Sequence, residues 1–392
     1  MSLTAERPRV LHLFSNAKWT GPAEPALNLC VSLRALGVDA DFACSPDAGA
    51  SVNKVVETAR DRGVEPILDM RLGKHRHLWH NFRDQHALHA LLATGRYNLV
   101  HCHLDNAHAI AEPIARRLKI PLIRSNYEGD GLPPTRRSAR LLHGTRYLLE
   151  PSLIAQQCDT KHFGFPAERM RVVPGAVDVH RFDATRELPD GRRWLGIPPD
   201  AFVVGIVARM QTHRHFEDLW IATRRLVDEV PNAHVLVVGR GTNQLKVGME
   251  PVERLGLSAH VHFPGYVDGE NYVGMLRAFD VGVYLVPGSD GTCRAAREIM
   301  AMGRPMVVAD RGMLREIVTH GQDGLVFDGS PDGLQASLLQ LARDRGQRVA
   351  MGRAARQQAT RCYSLEAQGT AVLAVYDEIL ASTPAPTQAP VV

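Results

Sequence analysis

The segment VYLVPGSDGTCRAAREIMAMGRPMVV, residues 283–308, decides the fold class of this chain. Its apolar start predicts a buried strand that stops at Pro287, and the Gly/Ser/Asp loop after it predicts a short connection. The pattern that follows predicts a helix carrying Glu298, eight residues after Asp290. Two carboxylates are therefore expected at the carboxyl end of a strand, beside a helix N-terminus whose free backbone N–H groups favour an anionic ligand.

The alternation of apolar runs and helical patterns extends over the rest of the chain as two sets of predicted strands. The first set comprises residues 10–14, 40–44, 98–103, 121–126, 147–151 and 171–175, and the second comprises residues 202–208, 234–239, 261–265, 281–286, 306–309 and 325–327. Strands and helices that alternate at this spacing indicate parallel sheets covered by helices on both faces. We therefore predict an α/β protein with two doubly wound units.

The predicted domain boundary lies in a polar stretch near residues 180–190. A chain of 392 residues exceeds one ordinary hydrophobic core. We assign residues 1–182 to an N-terminal Rossmann-like domain and 183–363 to a C-terminal one. Residues 364–382 are a predicted last helix, and the Pro-, Thr- and Ala-rich residues 383–392 a predicted disordered tail. A ligand is expected in a cleft where the carboxyl ends of the two sets of strands face each other.

The composition is that of an ordinary globular protein, with 45% hydrophobic and 22% charged residues. The chain has no long apolar run, and its N-terminus lacks the apolar core of a signal peptide, so we predict a cytoplasmic protein without a membrane span. The six cysteines include no C-x-x-C pair, which argues against a disulfide framework and a thiolate zinc site. A net charge of +4 gives no case for a nucleic-acid partner.

The opening segment resembles the acidic signature of retaining glycosyltransferases of family 4 (glycosyl transferases group 1), usually Glu-Gly-Phe-Gly followed by Glu-Ala-Met-Ala. The matching residues are Asp290-Gly291-Thr292-Cys293 and Glu298-Ile299-Met300-Ala301. The stretch GIVARMQTHRHFEDL, residues 205–219, resembles the family's Gly-Arg-Leu followed by Lys-Gly and a helix, with Arg214 at the Lys position and His215 at the Gly position. The resemblance implies the GT-B fold, in which two Rossmann-like doubly wound domains face each other across a cleft.

The resemblance also implies how a nucleotide-sugar donor would be bound, as a co-substrate without a cofactor or metal. Arg209 and Arg214 would contact the donor diphosphate, and Glu298 the ribose hydroxyls. Further donor contacts are implied for Gly21, for the backbone of Gly265, Tyr266 and Val267 at the base, and for Gly291, Thr292, Cys293 and Arg294 at the helix start. The catalytic candidates are Asp290, Glu298 and His103. An Asp290 helix cap and solvated arginines are the plainer interpretations.

Three first-domain segments carry the remaining candidates, each with an alternative. Gly21 lies in a strand-to-helix connection that resembles the family's Gly-Gly loop, and it also fits a plain turn. The pair His101 and His103 ends a predicted strand, which fits a sugar contact by His103, a metal pattern or a packed strand end. Asn126 stands where the family often has a His, and we predict an acceptor contact there. Asp39-Ala40-Asp41 as a metal motif is less favoured than a strand entrance.

Two basic clusters bear on the acceptor, for which the resemblance implies a glycan or a lipid-linked molecule.

 

The implied setting is bacterial cell-surface polysaccharide or lipopolysaccharide assembly. One basic cluster is Lys74-His75-Arg76-His77, and the other contains Arg136, Arg137 and Arg140. Arg136 and Arg137 are our acceptor candidates, because guanidinium groups bind phosphate. A peripheral contact with anionic membrane at the inner face of the cell membrane and a plain solvated face are the alternatives.

Two other functions remain open at the level of the sequence. The first is a nucleotide-sugar epimerase, which shares the fold and would need no acceptor. The second is a degenerate homologue that binds nucleotide or glycan as a scaffold. Its case is the number of departures from the family pattern, at Thr20, Asn126, Arg214, His215 and Asp290. Every charged donor position nevertheless keeps its sign, which favours the transferase.

Overall fold

The computed structural model describes residues 7–47, 49, 52–287 and 293–382. The chain divides into two compact units. Unit 1 comprises Met1–Pro174 and Leu365–Val392, and unit 2 comprises Gly175–Ser364. The predicted tail, residues 383–392, lies outside the described residues.

Unit 1 contains a parallel sheet with the strand order β2-β1-β3-β4-β5-β6. Its strands are β1 (Arg9–Phe14), β2 (Asp39–Cys44), β3 (Leu99–Cys102), β4 (Leu122–Ser125), β5 (Tyr147–Glu150) and β6 (Met170–Val172). Its helices are α1 (Ala23–Ala35), α2 (Lys54–Asp61), α3 (Leu78–Ala93), α4 (Asp105–Leu118), α5 (Arg136–His143), α6 (Leu153–Phe163) and the last helix of the chain, α15 (Leu365–Ala381).

Both faces of the unit 1 sheet are buried, as the apolar strand sequences predict. On β1, Val10 and Phe14 belong to one hydrophobic cluster, whereas Leu11 and Leu13 belong to another. Successive side chains of a strand point to opposite faces, so each face has its own helical cover. Helix α15 covers the Val10 face together with α1, and Ser32 Oγ donates a hydrogen bond to Leu365 O at 2.7 Å.

Unit 2 repeats this architecture with the strand order β12-β11-β10-β7-β8-β9. Its strands are β7 (Phe202–Val207), β8 (Ala233–Val238), β9 (Val261–Gly265), β10 (Val281–Tyr284), β11 (Met306–Ala309) and β12 (Gly324–Phe327). Its helices are α7 (Gly191–Leu195), α8 (Phe216–Glu229), α9 (Glu250–Arg254), α10 (Gly269–Ala278), α11 (Arg294–Ala301), α12 (Leu314–Ile317), α13 (Pro331–Arg343) and α14 (Arg345–Cys362). The predicted α/β class with two parallel sheets is confirmed.

The units divide earlier in the chain than the polar stretch near residues 180–190 indicates. Val177 and Phe182 are buried in the hydrophobic core of unit 2. Val177 also forms a parallel bridge with Ser364, the last residue of that unit. The polar stretch therefore follows a segment that already packs in unit 2.

No helix in the described part of the chain has both the length and the apolar character needed to cross a bilayer.

Candidate active site

The two candidate arginines of unit 2 lie between β7 and α8. Arg209 is exposed, and Arg214 is buried with a relative exposure of 7%. Arg214 Nη1 donates a hydrogen bond to Pro287 O at 2.8 Å, and its Nε has no partner among the described residues. Pro287 follows β10, which pairs in parallel with β7. Arg214 therefore joins the carboxyl ends of two neighbouring strands, and its contact with a donor diphosphate, which the resemblance implies, stays a prediction.

Two departures from the family pattern occupy left-handed backbone positions. His215 has a φ of 57° directly before α8, and Cys293 has a φ of 48° directly before α11. Both residues stand where the resembled motifs have Gly, the residue that adopts this conformation without steric cost. The chain therefore keeps the left-handed turn at each helix start although it carries a side chain there.

Glu298 is buried within unit 2 and is hydrogen bonded to a tyrosine. The Tyr272 hydroxyl of α10 donates to Glu298 Oε2 at 2.5 Å, and Arg294 Nε lies 3.4 Å from Glu298 Oε1. Burial, followed by the charge of Glu298, raises the pKa of Tyr272 well above its ordinary value, so the hydroxyl keeps its proton as the donor. The geometry therefore fits an oriented carboxylate that can accept further hydrogen bonds. Tyr272 belongs to none of the motifs recognised in the sequence.

Two glycines bring the loop after β8 against the loop after β7. A Cβ on Gly239 would lie 2.4 Å from Ala208 O, and one on Gly241 would lie 2.2 Å from Met210 O. The sequence Gly239-Arg240-Gly241 is by itself only weak evidence for a ligand site. The close approach of the two loops next to Arg209 explains why both positions are glycine.

The predicted base-binding segment follows β9 in the same unit. Gly265 has a φ of 79°, and its carbonyl accepts a hydrogen bond from Gly239 N at 2.9 Å. Tyr266 is 66% exposed, and the Arg240 guanidinium lies 5.5 Å from the centre of its ring. Val267 packs against the unit 2 core. The geometry leaves an exposed aromatic face beside a cation, while the predicted backbone contacts to a base stay a prediction.

Asp290, Gly291 and Thr292 lie outside the described residues. Their predicted roles stay predictions.

In unit 1, His103 follows β3 and is fully buried. Its Nε2 is hydrogen bonded to His12 Nδ1 at 2.9 Å, and its Nδ1 to the Tyr127 hydroxyl at 2.7 Å. Burial, reinforced by His101 and His12, holds the pKa of His103 well below its usual value. A neutral imidazole with both nitrogens engaged offers no free atom to a substrate in this arrangement. The contact of His103 with a sugar stays a prediction.

His12, His101 and His103 form one group of metal-type ligands within the described residues. His101 Nδ1 is hydrogen bonded to the Tyr376 hydroxyl at 2.6 Å, and its Nε2 to Ser125 Oγ at 2.8 Å. Since His103 is also fully engaged, a metal ion would have to break hydrogen bonds that now hold the rings. The arrangement fits a hydrogen-bonded imidazole network better than a metal centre.

The Asp39-Ala40-Asp41 triplet at the start of β2 makes contacts within the fold. Asp41 accepts a hydrogen bond from the Tyr97 hydroxyl at 2.6 Å and pairs with Arg96 at the same distance. Asp39 is exposed on the same strand and lies 4.0 Å from Arg96. These contacts fit the strand-entrance interpretation.

Asn126 is buried after β4, where its amide makes contacts within the fold. Its Nδ2 donates to Glu150 Oε2 at 2.8 Å, and its Oδ1 accepts from Glu128 N at 2.9 Å. Burial, followed by the charge of Asp159, raises the pKa of Glu150 to about 9. Asn126 therefore orients a buried carboxyl group, and its predicted acceptor contact stays a prediction.

The acceptor candidates Arg136 and Arg137 begin α5 and line a cavity of about 480 Å³ with Arg76 and Phe82. A smaller cavity of about 190 Å³ also contains Arg137 and adds Arg124 of β4. These two cavities make the start of α5 a strongly cationic part of unit 1.

Arg124 is buried, although charged side chains on a strand are usually exposed. Its Nη2 pairs with Asp105 at 2.7 Å, and its Nε and Nη1 have no hydrogen-bond partner among the described residues. The sequence analysis did not single out Arg124, since a lone arginine in an apolar strand carries no motif.

Gly21 is exposed in a turn before α1, and Thr20 O accepts a hydrogen bond from Ala23 N at 2.9 Å. This geometry is that of a strand-to-helix turn. The predicted donor contact of Gly21 stays a prediction.

Family profiles match both units of the chain. The profile described as Glycosyltransferase Family 4 matches residues 20–181, and the one described as Glycosyl transferases group 1 matches residues 190–358.

Two curated relatives carry the name D-inositol 3-phosphate glycosyltransferase. The one from Corynebacterium jeikeium is 33% identical over 54% of this chain and 52% of its own length. The one from Corynebacterium urealyticum is 31% identical over 65% of this chain and 63% of its own length. The matched part therefore spans less than two thirds of either relative.

A solved structure, Anabaena Alr3699/HepE in complex with UDP and glucose, has the same fold. It matches with a TM-score of 0.74 over 94% of this chain and 99% of that chain, at 17% identity.

Proposed function

The chain belongs to the glycosyltransferases of group 1 and family 4, and from this membership we propose that it transfers a sugar from a nucleotide-sugar to an acceptor. Its two parallel six-stranded units are those of the GT-B fold. The observation that carries the proposal is Glu298, a buried carboxylate held by Tyr272 on the helix after β10. A carboxylate fixed in this way suits the vicinal hydroxyls of a ribose.

The proposed chemistry depends on stabilising the diphosphate that leaves the sugar. Negative charge grows on this leaving group as the glycosidic bond stretches, and preorganised cations lower the barrier most effectively. We propose that Arg209 and Arg214 supply this charge without a bound metal. Arg214 is supported in this role by its burial and by its anchoring to Pro287 O.

We propose a retaining reaction, in which the acceptor attacks from the face that the diphosphate leaves. A diphosphate oxygen would then help to take the acceptor proton. This proposal rests on the family membership.

The proposed acceptor is a glycan or lipid-linked molecule that carries a phosphate. Support comes from Arg124, Arg136 and Arg137, which line two cavities of unit 1. Two relatives are named for a phosphorylated substrate, which agrees with such a group. The proposed setting is bacterial cell-surface polysaccharide or lipopolysaccharide assembly.

We also propose that this part of unit 1 rests on anionic membrane. Leu78, Trp79 and Phe82 at the start of α3 are 71%, 74% and 66% exposed, and Lys74 and Arg76 precede them. Apolar side chains beside cations bind the interface of anionic bilayers. Trp79→Ser should weaken co-sedimentation with anionic vesicles, and equal binding of both proteins would contradict the contact.

A thermal-shift panel of UDP, GDP, ADP and CDP, with their sugar conjugates, tests the donor site. A ligand at about a hundred times its dissociation constant stabilises the folded state by about 2.7 kcal/mol, which raises the midpoint by a few degrees. We expect a shift with one base, equal with magnesium and with a chelator. No shift with any nucleotide would favour the scaffold function.

Two variants, Tyr272→Phe and Glu298→Gln, test whether the nucleotide binds at the proposed donor site. Tyr272→Phe removes the hydrogen bond to Glu298, and a hydrogen bond to a charged group contributes about 1.5–3 kcal/mol. We expect about tenfold weaker donor binding or more from Tyr272→Phe and from Glu298→Gln. Glu217→Gln on the exposed face of α8 is the matched control. Unchanged sugar transfer in Glu298→Gln would contradict the site.

A further inference from the structure

Unit 2 also has a cationic cavity, which lies at the opposite end of the strands from Arg214. It measures about 600 Å³ and is lined by Asp280, by the turn from Ala301 to Pro305 and by one face of α14. Asp280 directly precedes β10, and Pro305 directly precedes β11. These residues therefore mark the amino ends of the strands, whereas Arg214 joins the carboxyl ends. A strand of four residues spans about 13 Å, so the two sites are separate.

The wall of this cavity carries an excess of positive charge. Five guanidinium groups line it against two carboxylates: Arg304, Arg345, Arg348, Arg353 and Arg356 against Asp183 and Asp280. Four of the five arginines of α14, all except Arg361, line the cavity, and their helical spacing places them on one face of that helix. Neither the motifs nor the proposed sugar transfer uses any of these arginines.

Two of the arginines that line the cavity, Arg348 and Arg356, use their guanidinium groups in contacts within the fold. Arg356 Nη1 donates to three carbonyl oxygens, of Val179, Phe182 and Ala301, and its Nη2 pairs with Asp183 at 3.1 Å. Arg348 donates to Leu341 O, and its guanidinium lies 5.2 Å from the centre of the Phe202 ring. Both carboxylates of the wall are also paired, Asp280 with Arg192 at 2.8 Å. The two carboxylates of the cavity are therefore already neutralised by ion pairs with Arg192 and Arg356.

The other three arginines, Arg304, Arg345 and Arg353, have N–H groups that donate no hydrogen bond to a described residue. The guanidinium groups of Arg345 and Arg353 are exposed and have no hydrogen bond or ion pair with any described residue. Arg304 Nη2 donates to Arg277 O at 2.7 Å, but its buried Nε has no partner there. Burial is the main cause that lowers the pKa of Arg304, and the nearby Arg192, Arg277 and Arg348 add repulsion. A bound anion would relieve this repulsion and satisfy the open donors.

We propose that this cavity binds a phosphorylated small molecule, at a site separate from the donor site. Its volume lies within the range of about 300–1,000 Å³ that small-molecule sites occupy. Arginines prefer phosphate among anions because their planar donors bind two of its oxygens at once. An inorganic ion would fill little of the cavity, so the ligand is of sugar-phosphate or nucleotide size.

Titration calorimetry with inorganic pyrophosphate and glucose 6-phosphate tests the site, and the variants are compared in the Arg214→Ala background because pyrophosphate would also bind the proposed diphosphate site. The donor-site variant Arg214→Ala should keep the binding, while Arg345→Ala combined with Arg353→Ala should weaken it by about tenfold or more. Both substitutions lie on an exposed helix face, where Ala favours the helix, and circular dichroism checks the fold. Arg361→Ala, an exposed arginine of the same helix, is the matched control and should change nothing.

Binding that survives the double substitution, or that Arg214→Ala abolishes, would overturn the proposal, as would no binding of either probe up to millimolar concentration. The site does not depend on sugar transfer, so these outcomes are separate from those of the donor panel.

Discussion

At the scale of single residues, the backbone explains two departures that the sequence alone left open. His215 and Cys293 keep the left-handed conformation that Gly adopts in the resembled motifs. The resemblance therefore marks where each turn lies. It could not predict whether a side chain would be tolerated there, since that depends on neighbours such as Asp218, which lies 3.1 Å from His215 Nδ1.

The same residues give a prediction about stability. His215→Gly should raise the free energy of unfolding by up to about 1 kcal/mol, because the left-handed conformation costs an L-residue about 1–2 kcal/mol. The entropy of Gly in the unfolded chain and the lost contact with Asp218 offset part of this gain. Urea unfolding measures the difference.

The control for this substitution is His213→Gly. His213 lies in the adjacent 3-10 turn, Thr212–Arg214, and has no positive φ. Its replacement by Gly should destabilise the protein. A loss of stability in His215→Gly as large as that in His213→Gly would contradict the strain argument.

Residues outside motifs were the ones that sequence reasoning missed. Tyr272 reaches Glu298 from another helix, and Arg124 lines its cavity from the middle of an apolar strand. Nothing in their local sequence indicates these partners, because the contacts join segments 26 and 19 residues apart. The family resemblance indicated Arg214 and Glu298, whereas only the tertiary fold reveals Tyr272 and Arg124.

At the scale of elements, the strands were predictable because parallel strands that are buried on both faces are continuous apolar runs. Each predicted strand overlaps one of β1 to β12. The division between the units was less predictable. Residues 176–182 look like the end of one domain by composition, but Val177 and Phe182 pack in the unit 2 core.

A buried carboxyl pair joins β5 to α6 and makes stability depend on pH. Glu150 ends β5, and Asp159 lies in α6. Glu150 Oε1 and Asp159 Oδ2 are the buried oxygens of this pair without a donor, and one shared proton would satisfy both. The pKa of Glu150 is about 9, raised from an ordinary value of 4.5.

Because the folded state keeps a proton that the unfolded chain has lost, the free energy of unfolding should fall as pH rises from about 4.5 to 9. The slope is at most about 1.4 kcal/mol per pH unit. Glu150→Gln should remove this contribution and therefore gain stability relative to the native protein as pH rises. Urea midpoints across this pH range measure the effect.

Asp159→Asn provides the matched test, since it removes the partner of the same shared proton. It should reduce the pH dependence only in part, because burial, the larger cause of the raised pKa of Glu150, remains, and the double variant should behave like Glu150→Gln. An unchanged slope in both single variants would show that the pair does not hold the proton.

At the scale of the whole molecule, unit 1 is built from both ends of the chain, and unit 2 from the segment between them. Helix α15 is the last element of the chain, yet it belongs to unit 1, while the residues between 175 and 364 form unit 2. All proposed donor contacts except Gly21 lie in unit 2. The last helix should therefore support unit 1 without being needed for nucleotide binding.

Val375→Asp tests this division of labour. Val375 is fully buried in the cluster that α15 shares with α1, so an unpaired carboxylate there should cost several kcal/mol and open unit 1. Hydrogen exchange should then show lost protection in unit 1 and retained protection in unit 2. The nucleotide-induced thermal shift should persist while sugar transfer is lost. Ala374→Asp, on the exposed face of the same helix, should leave both intact. If Val375→Asp abolished nucleotide binding with unit 2 still protected, donor binding would need unit 1, and the assignment of the donor site to unit 2 would be wrong.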